Sequence, residues 1–293
     1  MIVVAGESLI DLIVRPDGRV DAAPGGGPYN AARAVARLGR PVAFLGRMST
    51  DRFGAILRAG LEADGVDLGL VVATDDPTLL ASAELDPDGS ATYRFYAEGT
   101  AAPGLCVSDV PNGLPAATST LHVGTLGLVY EPMASTIEAL VGGAGLDVLV
   151  VIDPNCRPAA IRDVAAYRAR LGRILARADV VKASVEDLAW LEPTTDPVEA
   201  ARRLIDCGPS VALVTDGARP VRIVTRARVV EVPVPSVEVA HTVGAGDAFG
   251  AGFVAAWDSS GKGRVDLGDP EAIAAATRFA VEVGSGTAAR GWT

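Results

Sequence analysis

Short apolar runs alternate with helical patterns along almost the whole chain, and this alternation restricts the fold more than any other feature. Ile2–Ala5, Val42–Leu45, Thr120–Val123, Val148–Asp153, Val180–Lys182 and Val211–Thr215 read as strands. Tyr29–Leu38, Arg52–Ala63, Met133–Val141, Asp163–Ala178 and Val198–Cys207 read as helices among them, and Phe249–Trp257 and Glu271–Val283 as two more at the end. A strand that is apolar on both sides is covered on both sides, and helices that return the chain between strands make them parallel. The expected fold class is α/β: a doubly wound, mostly parallel sheet with helices on both faces. Hydrophobic residues make up 49% of the chain but aromatic ones only 5%, so Ala, Val, Leu and Gly must carry the packing.

Two segments break the alternation. Leu9–Val14 runs into an Asp17-Gly18 turn, and Ala81–Asp86 is set to pair with Ala91–Tyr96 across Pro87-Asp88-Gly89. Apolar stretches joined by such turn residues predict antiparallel hairpins. No Pro- or Ser-rich linker separates them from the rest. The expectation is one domain over 1–293, with a small antiparallel piece inserted from about 9–23 and 78–101.

The net charge of −10 argues against a nucleic-acid partner, which needs a basic face. The N-terminus Met1-Ile2-Val3-Val4-Ala5-Gly6-Glu7 lacks the basic start of a signal peptide, and no apolar stretch is long and uncharged enough to span a bilayer. A cytoplasmic protein without membrane contact is expected. Cys106, Cys156 and Cys207 are odd in number and widely spaced, which predicts reduced, buried thiols.

Candidate chemistry concentrates in His241-Thr242-Val243-Gly244-Ala245-Gly246-Asp247-Ala248-Phe249-Gly250-Ala251-Gly252-Phe253. Small residues let backbone approach a ligand, and the first N–H groups of a helix are donors carrying partial positive charge. A carboxylate at that turn can take a proton from a hydroxyl. Anion cradle plus base suits phosphoryl transfer to an alcohol. Phe249 stands where a dinucleotide fingerprint needs its third glycine, which weakens a Rossmann oxidoreductase reading, and no Walker-type Gly-Lys-Ser/Thr loop occurs.

That run, with Gly25-Gly26-Gly27-Pro28-Tyr29-Asn30-Ala31-Ala32 and Leu38-Gly39 upstream, resembles the two signatures of the ribokinase-like, or PfkB, carbohydrate kinases. The resemblance extends from Gly6 to about Arg290. It implies an ATP-dependent kinase for a primary hydroxyl of a small sugar, with Mg2+ and the hairpins as a β lid. Asp247 would be the base, with Gly244, Ala245 and Gly246 forming the anion cradle. Asp11, Gly26, Gly27 and Asn30 would hold sugar hydroxyls. Ala91–Tyr96, Gly99-Thr100-Ala101 and Asp153–Pro158 look most like fructokinases, and Arg94 and Arg157 are candidate sugar contacts.

Ser184-x-x-Asp187 stands where the family has Asn-x-x-Glu, an element that organises Mg2+ through water. The same pattern is also a helix capping box, and both readings can hold. Thr215-Asp216-Gly217 matches the family's nucleotide loop, although Pro220 replaces a later glycine. Lys182, Ser184, Thr215, Gly217, Thr242, Gly244 and Gly246 are the candidate nucleotide contacts. His241 replaces a family Asp beside a monovalent-cation site; imidazole lacks the hard, charged oxygen that K+ prefers, so weak or absent K+ activation is expected. His122 reads as a structural strand-end residue. The expected partners are the sugar and ATP, with a homodimer through the lid implied by resemblance alone. A 2-keto-3-deoxygluconate kinase, a ribokinase and a non-catalytic sugar- or nucleotide-binding member remain alternatives.

Overall fold

A computed structural model of the chain describes residues 1–85, 91–192, 196–240 and 243–290. From the N-terminus the elements are β1 (Ile2–Ala5), β2 (Leu9–Val14), β3 (Val20–Gly25), α1 (Gly27–Arg37), β4 (Val42–Ser49), α2 (Arg52–Ala63) and β5 (Val71–Thr74). Then come β6 (Leu80–Leu85), β7 (Ala91–Tyr96), β8 (Thr120–Gly124), α3 (Met133–Gly142), β9 (Leu149–Asp153), α4 (Val164–Leu175) and β10 (Val180–Ser184). The chain continues through α5 (Val185–Leu191), α6 (Pro197–Asp206), β11 (Val211–Asp216), β12 (Arg219–Val224), β13 (Val229–Val232), α7 (Ala245–Ser259) and α8 (Pro270–Arg290).

The main sheet runs β13-β12-β11-β10-β9-β8-β1-β4-β5. Every pairing from β11 to β5 is parallel, whereas β12 and β13 add an antiparallel edge. Neighbouring strand residues feed opposite layers, as the two-residue period of a strand requires. Val4 joins the layer of Phe44, Leu57, Phe253 and Trp257, while Val3 joins that of Leu121, Ile137, Ile152 and Leu171. This accounts for strands that read as unbroken apolar runs.

Local chemistry sets the helix starts. Asp51 accepts the Gly54 N–H at 2.7 Å and Asp163 accepts that of Ala166 at 2.9 Å, each satisfying an orphan donor of the first turn. Asp163 is therefore the cap of α4 and not its first residue. Helix α7 starts at Ala245, one turn before the expected Phe249, because Gly244 adopts the left-handed conformation at its start. The strands β5, β12 and β13 escaped the sequence reading; Pro220 sits at the irregular start of β12, where the register with β11 shifts.

The second sheet has the order β3-β2-β6-β7. Its β2–β3 and β6–β7 pairs are antiparallel, and a parallel β2–β6 pair joins them. The expected turn at Pro87-Asp88-Gly89 lies outside the described residues. No described helix is long and apolar enough to cross a membrane. All three cysteines are free, but only Cys156 is buried, and Cys207 is exposed on the end of α6. The expectation of three buried thiols fails because the polar face of α6 turns Cys207 to solvent.

Candidate active site

The carboxyl ends of the parallel strands converge on one cleft, where open α/β sheets place their ligands. Strand β9 ends in Asp153, β10 in Ser184, β8 leads into Thr125, and β1 leads to Glu7. Helix α7 points its N-terminus into the same cleft. Its first intrahelical bond runs from the Ala248 N–H to the Gly244 carbonyl, so the N–H groups of Ala245, Gly246 and Asp247 precede the hydrogen-bonded turns.

Asp247 lies in this turn, held between two carboxamides. Asn30 Nδ2 donates to Oδ2 at 2.9 Å, and Asn155 Nδ2 donates to Oδ1 at 3.4 Å. Desolvation pushes the Asp247 carboxyl up to about 7; nearby Asp153 adds to the rise, while Asn30, Lys182 and Arg157 oppose it. A carboxylate poised near neutrality is matched to general-base work. Asn30 thus spends an N–H on Asp247, a role different from the sugar contact expected of it, and its carbonyl oxygen is not used in that bond.

Asp11, on β2, is half-buried, and desolvation raises its carboxyl to about 6 while Arg157 pulls it down. Gly26 and Gly27 join β3 to α1. The fully buried Glu7 secures them from below: its two oxygens accept the N–H groups of Gly27 at 3.2 Å and Gly127 at 2.9 Å. Burial pushes Glu7 up to about 8 despite those bonds. Glu7, Thr125 and Asn155 were not singled out from the sequence. A lone Glu after a strand and an Asn inside Asp-Pro-Asn carry no local mark of what they meet.

Arg94 does not belong to this assembly. The register aligns Asp11 with Ala81 and Ala81 with Phe95, so these three share one face of the small sheet. Arg94 takes the opposite face by strand alternation, and its Nε pairs with Glu84 Oε1 at 2.9 Å near solvent. Phe95 holds the inward position that was expected of Arg94. Arg157 is retained: Nη1 is locked on the oxygens of Asn155 and Cys156, and its charge acts on both Asp11 and Asp247.

Beneath the cradle, Lys182 Nζ and Asp153 Oδ2 form a buried ion pair at 2.9 Å. A Cβ on Gly246 would sit 3.0 Å from that ammonium, so Lys182 lies directly under the turn. Asp153 Oδ1 is buried with no hydrogen-bond partner among the described residues. Asp187 is committed within the protein: Oδ1 accepts the Cys156 N–H at 2.7 Å, and Oδ2 accepts the Ser184 N–H and hydroxyl, each at 2.9 Å. The capping-box reading of Ser184 and Asp187 therefore describes these bonds. His122 is buried on β8, and desolvation with nearby Lys182 lowers it to about 4, which leaves it neutral. Thr242 and His241 lie outside the described residues.

Thr215, Gly217, Ala245 and Gly246 line an apolar cleft of about 390 Å³ together with Val237, Phe249 and Val281. Ala245 and Gly246, two residues of the cradle, are part of its lining. A larger cleft of about 1090 Å³, between β7 and α4, is lined by Phe95, Gly99 and Thr100 but by neither Asp247 nor Asp11.

A family model described as pfkB family carbohydrate kinase matches residues 1–291. A fructokinase of Rhizobium leguminosarum bv. trifolii is 38% identical over 259 residues, covering 87% of this chain and 79% of that enzyme. A fructokinase of Klebsiella pneumoniae is 36% identical, covering 86% and 82%. Among solved structures, a fructokinase with bound ATP from Xylella fastidiosa superposes with a TM-score of 0.90 at 30% identity, covering 99% of this chain and 92% of that one. A fructokinase from Vibrio cholerae O395 bound to fructose, ADP and calcium ion gives 0.87 at 26% identity, covering 99% and 93%.

Proposed function

The chain belongs to the pfkB family of carbohydrate kinases, and on that premise we propose that it transfers the γ-phosphoryl group of ATP to a primary hydroxyl of fructose. One observation carries the reading: a carboxyl raised to about 7 stands in the first turn of α7, between two carboxamides and beside the N–H groups that precede the hydrogen-bonded turns. The fructokinase relatives, one of them solved with fructose and ADP, support the choice of sugar. A 2-keto-3-deoxygluconate kinase would need a cation for the sugar acid; Arg94 pairs with Glu84 on the opposite face, which leaves that work to Arg157.

In the transfer, the sugar O–H bond breaks as its oxygen bonds to the γ-phosphorus, and the proton passes to Asp247. The bond from phosphorus to the β–γ bridging oxygen breaks, and its electron pair leaves with ADP. The N–H groups of Gly244–Asp247 stabilise charge on the group in flight, each worth about 3–4 kcal/mol by comparison with other such donors. Asp11, Gly26, Gly27 and Arg157 would orient the sugar, and the small sheet would act as a lid on a single kinase domain, excluding the water that competes as acceptor.

Mg2+ fits as a metal shared with the nucleotide. No group of three acidic, His or Cys side chains that could hold it unaided occurs among the described residues, whereas Asp153 keeps one buried oxygen free. Asp153, with Asp187 acting through water, would hold it against the phosphates, where it neutralises charge. We also propose weak or absent K+ activation, from the imidazole of His241, a homodimer paired through the lid edges, and a cytoplasmic setting in which ATP is at hand.

The test is a coupled ADP-release assay with Mg-ATP on fructose, 2-keto-3-deoxygluconate, ribose, tagatose and adenosine, with and without K+. Turnover on fructose that falls about 10²–10⁴-fold in Asp247→Ala is the expected result. Silence on every sugar with ATP binding intact would instead favour a non-catalytic member of the family.

A further inference from the structure

Asn155 and Thr125 are the two non-glycine residues at positive φ among the described residues, at +39° and +51°. Asn tolerates such a backbone better than most residues with a side chain, whereas for β-branched Thr it is an outlier. The two lie 30 positions apart in the chain and on different strand ends, yet they meet beside Asp247. Asn155 Nδ2 is 3.4 Å from Thr125 Oγ1 and 3.4 Å from Asp247 Oδ1.

The orientation of the Asn155 carboxamide is set by its neighbour. Arg157 Nη1 donates to Asn155 Oδ1 at 2.7 Å and to the backbone oxygens of Asn155 and Cys156 at 3.0 and 3.1 Å. A guanidinium can only donate, so the oxygen of the amide must face Arg157 and its NH2 must face Asp247. The result is a fixed chain from Arg157 through Asn155 to the base. Asn30 grips the other oxygen more closely, at 2.9 Å against 3.4 Å, which leaves Oδ1 the less tightly held oxygen for the incoming proton.

We infer that Asn155 is a positioning residue for phosphoryl transfer, its Arg157-locked carboxamide holding the Oδ1 side of Asp247 toward the acceptor hydroxyl. The inference rests on Asp247 being the base. Asn155 exchanges no proton and breaks no bond; it fixes the direction in which Asp247 presents its lone pair. The positive φ turns its side chain from the strand end back across the cleft. The charged groups that act on Asp247 alongside it are Asp153, Lys182, Arg157 and Glu7, from β9, β10, the loop after β9 and the loop after β1.

Two variants separate this role from that of a turn residue. Asn155→Gly suits the left-handed backbone and removes only the carboxamide. Asn155→Asp keeps the shape, replaces the donor by a carboxylate and turns repulsion on Asp247. Loss of a hydrogen bond to a charged group predicts a fall in kcat of about 10-fold for Asn155→Gly, with both KM values within about threefold and the melting temperature nearly unchanged. Asn155→Asp is expected to fall further, and to move the acid limb of the rate profile up by about one pH unit. In an Asp247→Ala background, Asn155→Gly should add little, since a residue that acts through the base has nothing left to position.

Wild-type kcat in Asn155→Gly would reduce Asn155 to a turn residue and overturn the inference. A raised sugar KM with unchanged kcat would overturn it too, by making Asn155 a substrate contact. If Asp247→Ala itself keeps wild-type turnover, the base assignment has failed first, and that outcome is distinct from the other two.

Discussion

Replacing Gly26 by alanine tests whether the loop between β3 and α1 positions the reacting groups. Gly26 has φ +108°, a region open to glycine, and a Cβ there would lie 2.8 Å from the Glu7 carbonyl oxygen and 3.2 Å from Ser8 Cα. Both obstacles are backbone, so the loop has to retreat by about 0.6 Å to reach ordinary contact at 3.4 Å. The Gly26 carbonyl accepts the Asn30 N–H at 2.9 Å, so the retreat carries Asn30, and with it the hydrogen bond to Asp247. A misplacement of about 1 Å costs about 100-fold in rate, which puts the expected loss in sugar kcat/KM at about 10- to 100-fold. Backbone strain and overpacking together remove about 2–5 kcal/mol of stability, a drop of about 5–15 °C in melting temperature. Gly65→Ala is the control: its φ is +82°, but nothing lies within 4 Å of the new methyl. It should lose about 1–2 kcal/mol from strain alone and keep its kinetics. The assays are thermal melts and steady-state kinetics on fructose and ATP. Equal melting temperatures in the two variants, with sugar kcat/KM unchanged in Gly26→Ala, would refute the reasoning.

Three further outcomes follow from the same geometry. Because Asp247 is raised to about 7 and must be ionised to take a proton, sugar kcat/KM should climb with pH through about 7, and a profile already flat from pH 5 would remove Asp247 as the titrating base. Lys182→Met strands Asp153, whose pair is only 5% exposed on each side, so urea denaturation should show a loss of about 3–5 kcal/mol; a change under about 1 kcal/mol would mean the pair is not buried in solution. Glu7 is raised from 4.5 to about 8 in the folded chain, so the folded state keeps a proton that the unfolded state has lost in that window. Its stabilising contribution is full below the unfolded value and disappears as pH rises through about 8. The melting temperature should therefore fall between about pH 4.5 and pH 8, and less steeply in Glu7→Gln; an identical slope in both proteins would contradict the assignment.

The sequence carried the sheet because the evidence for it is local. Helix α2 shows its Asp51 cap, its apolar spacing and its Gly65 stop within a few residues, and its bounds agree with the expected Arg52–Ala63. Strands β12 and β13 escaped for the converse reason: Arg219, Pro220 and Arg222 break the apolar pattern, since an antiparallel edge needs covering on fewer sides. The site was half legible. Asp247 and the glycines announce themselves by composition at a helix start, but the sugar side depends on strand register, which a single sequence does not encode. One step of alternation separates Phe95, on the face of Asp11, from Arg94, on the other, and chemistry alone favoured the arginine.

Pairings across long separations were hidden more completely. Asn30 meets Asp247 over 217 positions, Asn155 over 92, and Glu7 reaches Gly127 over 120. Each contact needs the parallel strands in their final order before it exists. This ordering explains why neutral carboxamides, and not more charge, surround the base. Glu7, Asp153, Asp187 and Asp247 already gather four carboxyl groups against Lys182 and Arg157 near one strand-end cleft. A third cation beside Asp247 would pull its carboxyl down and weaken it as a base, whereas a further carboxylate would repel the phosphates. An amide N–H fixes direction at little change in charge, so Asn30 and Asn155 can aim the base while leaving it close to neutrality.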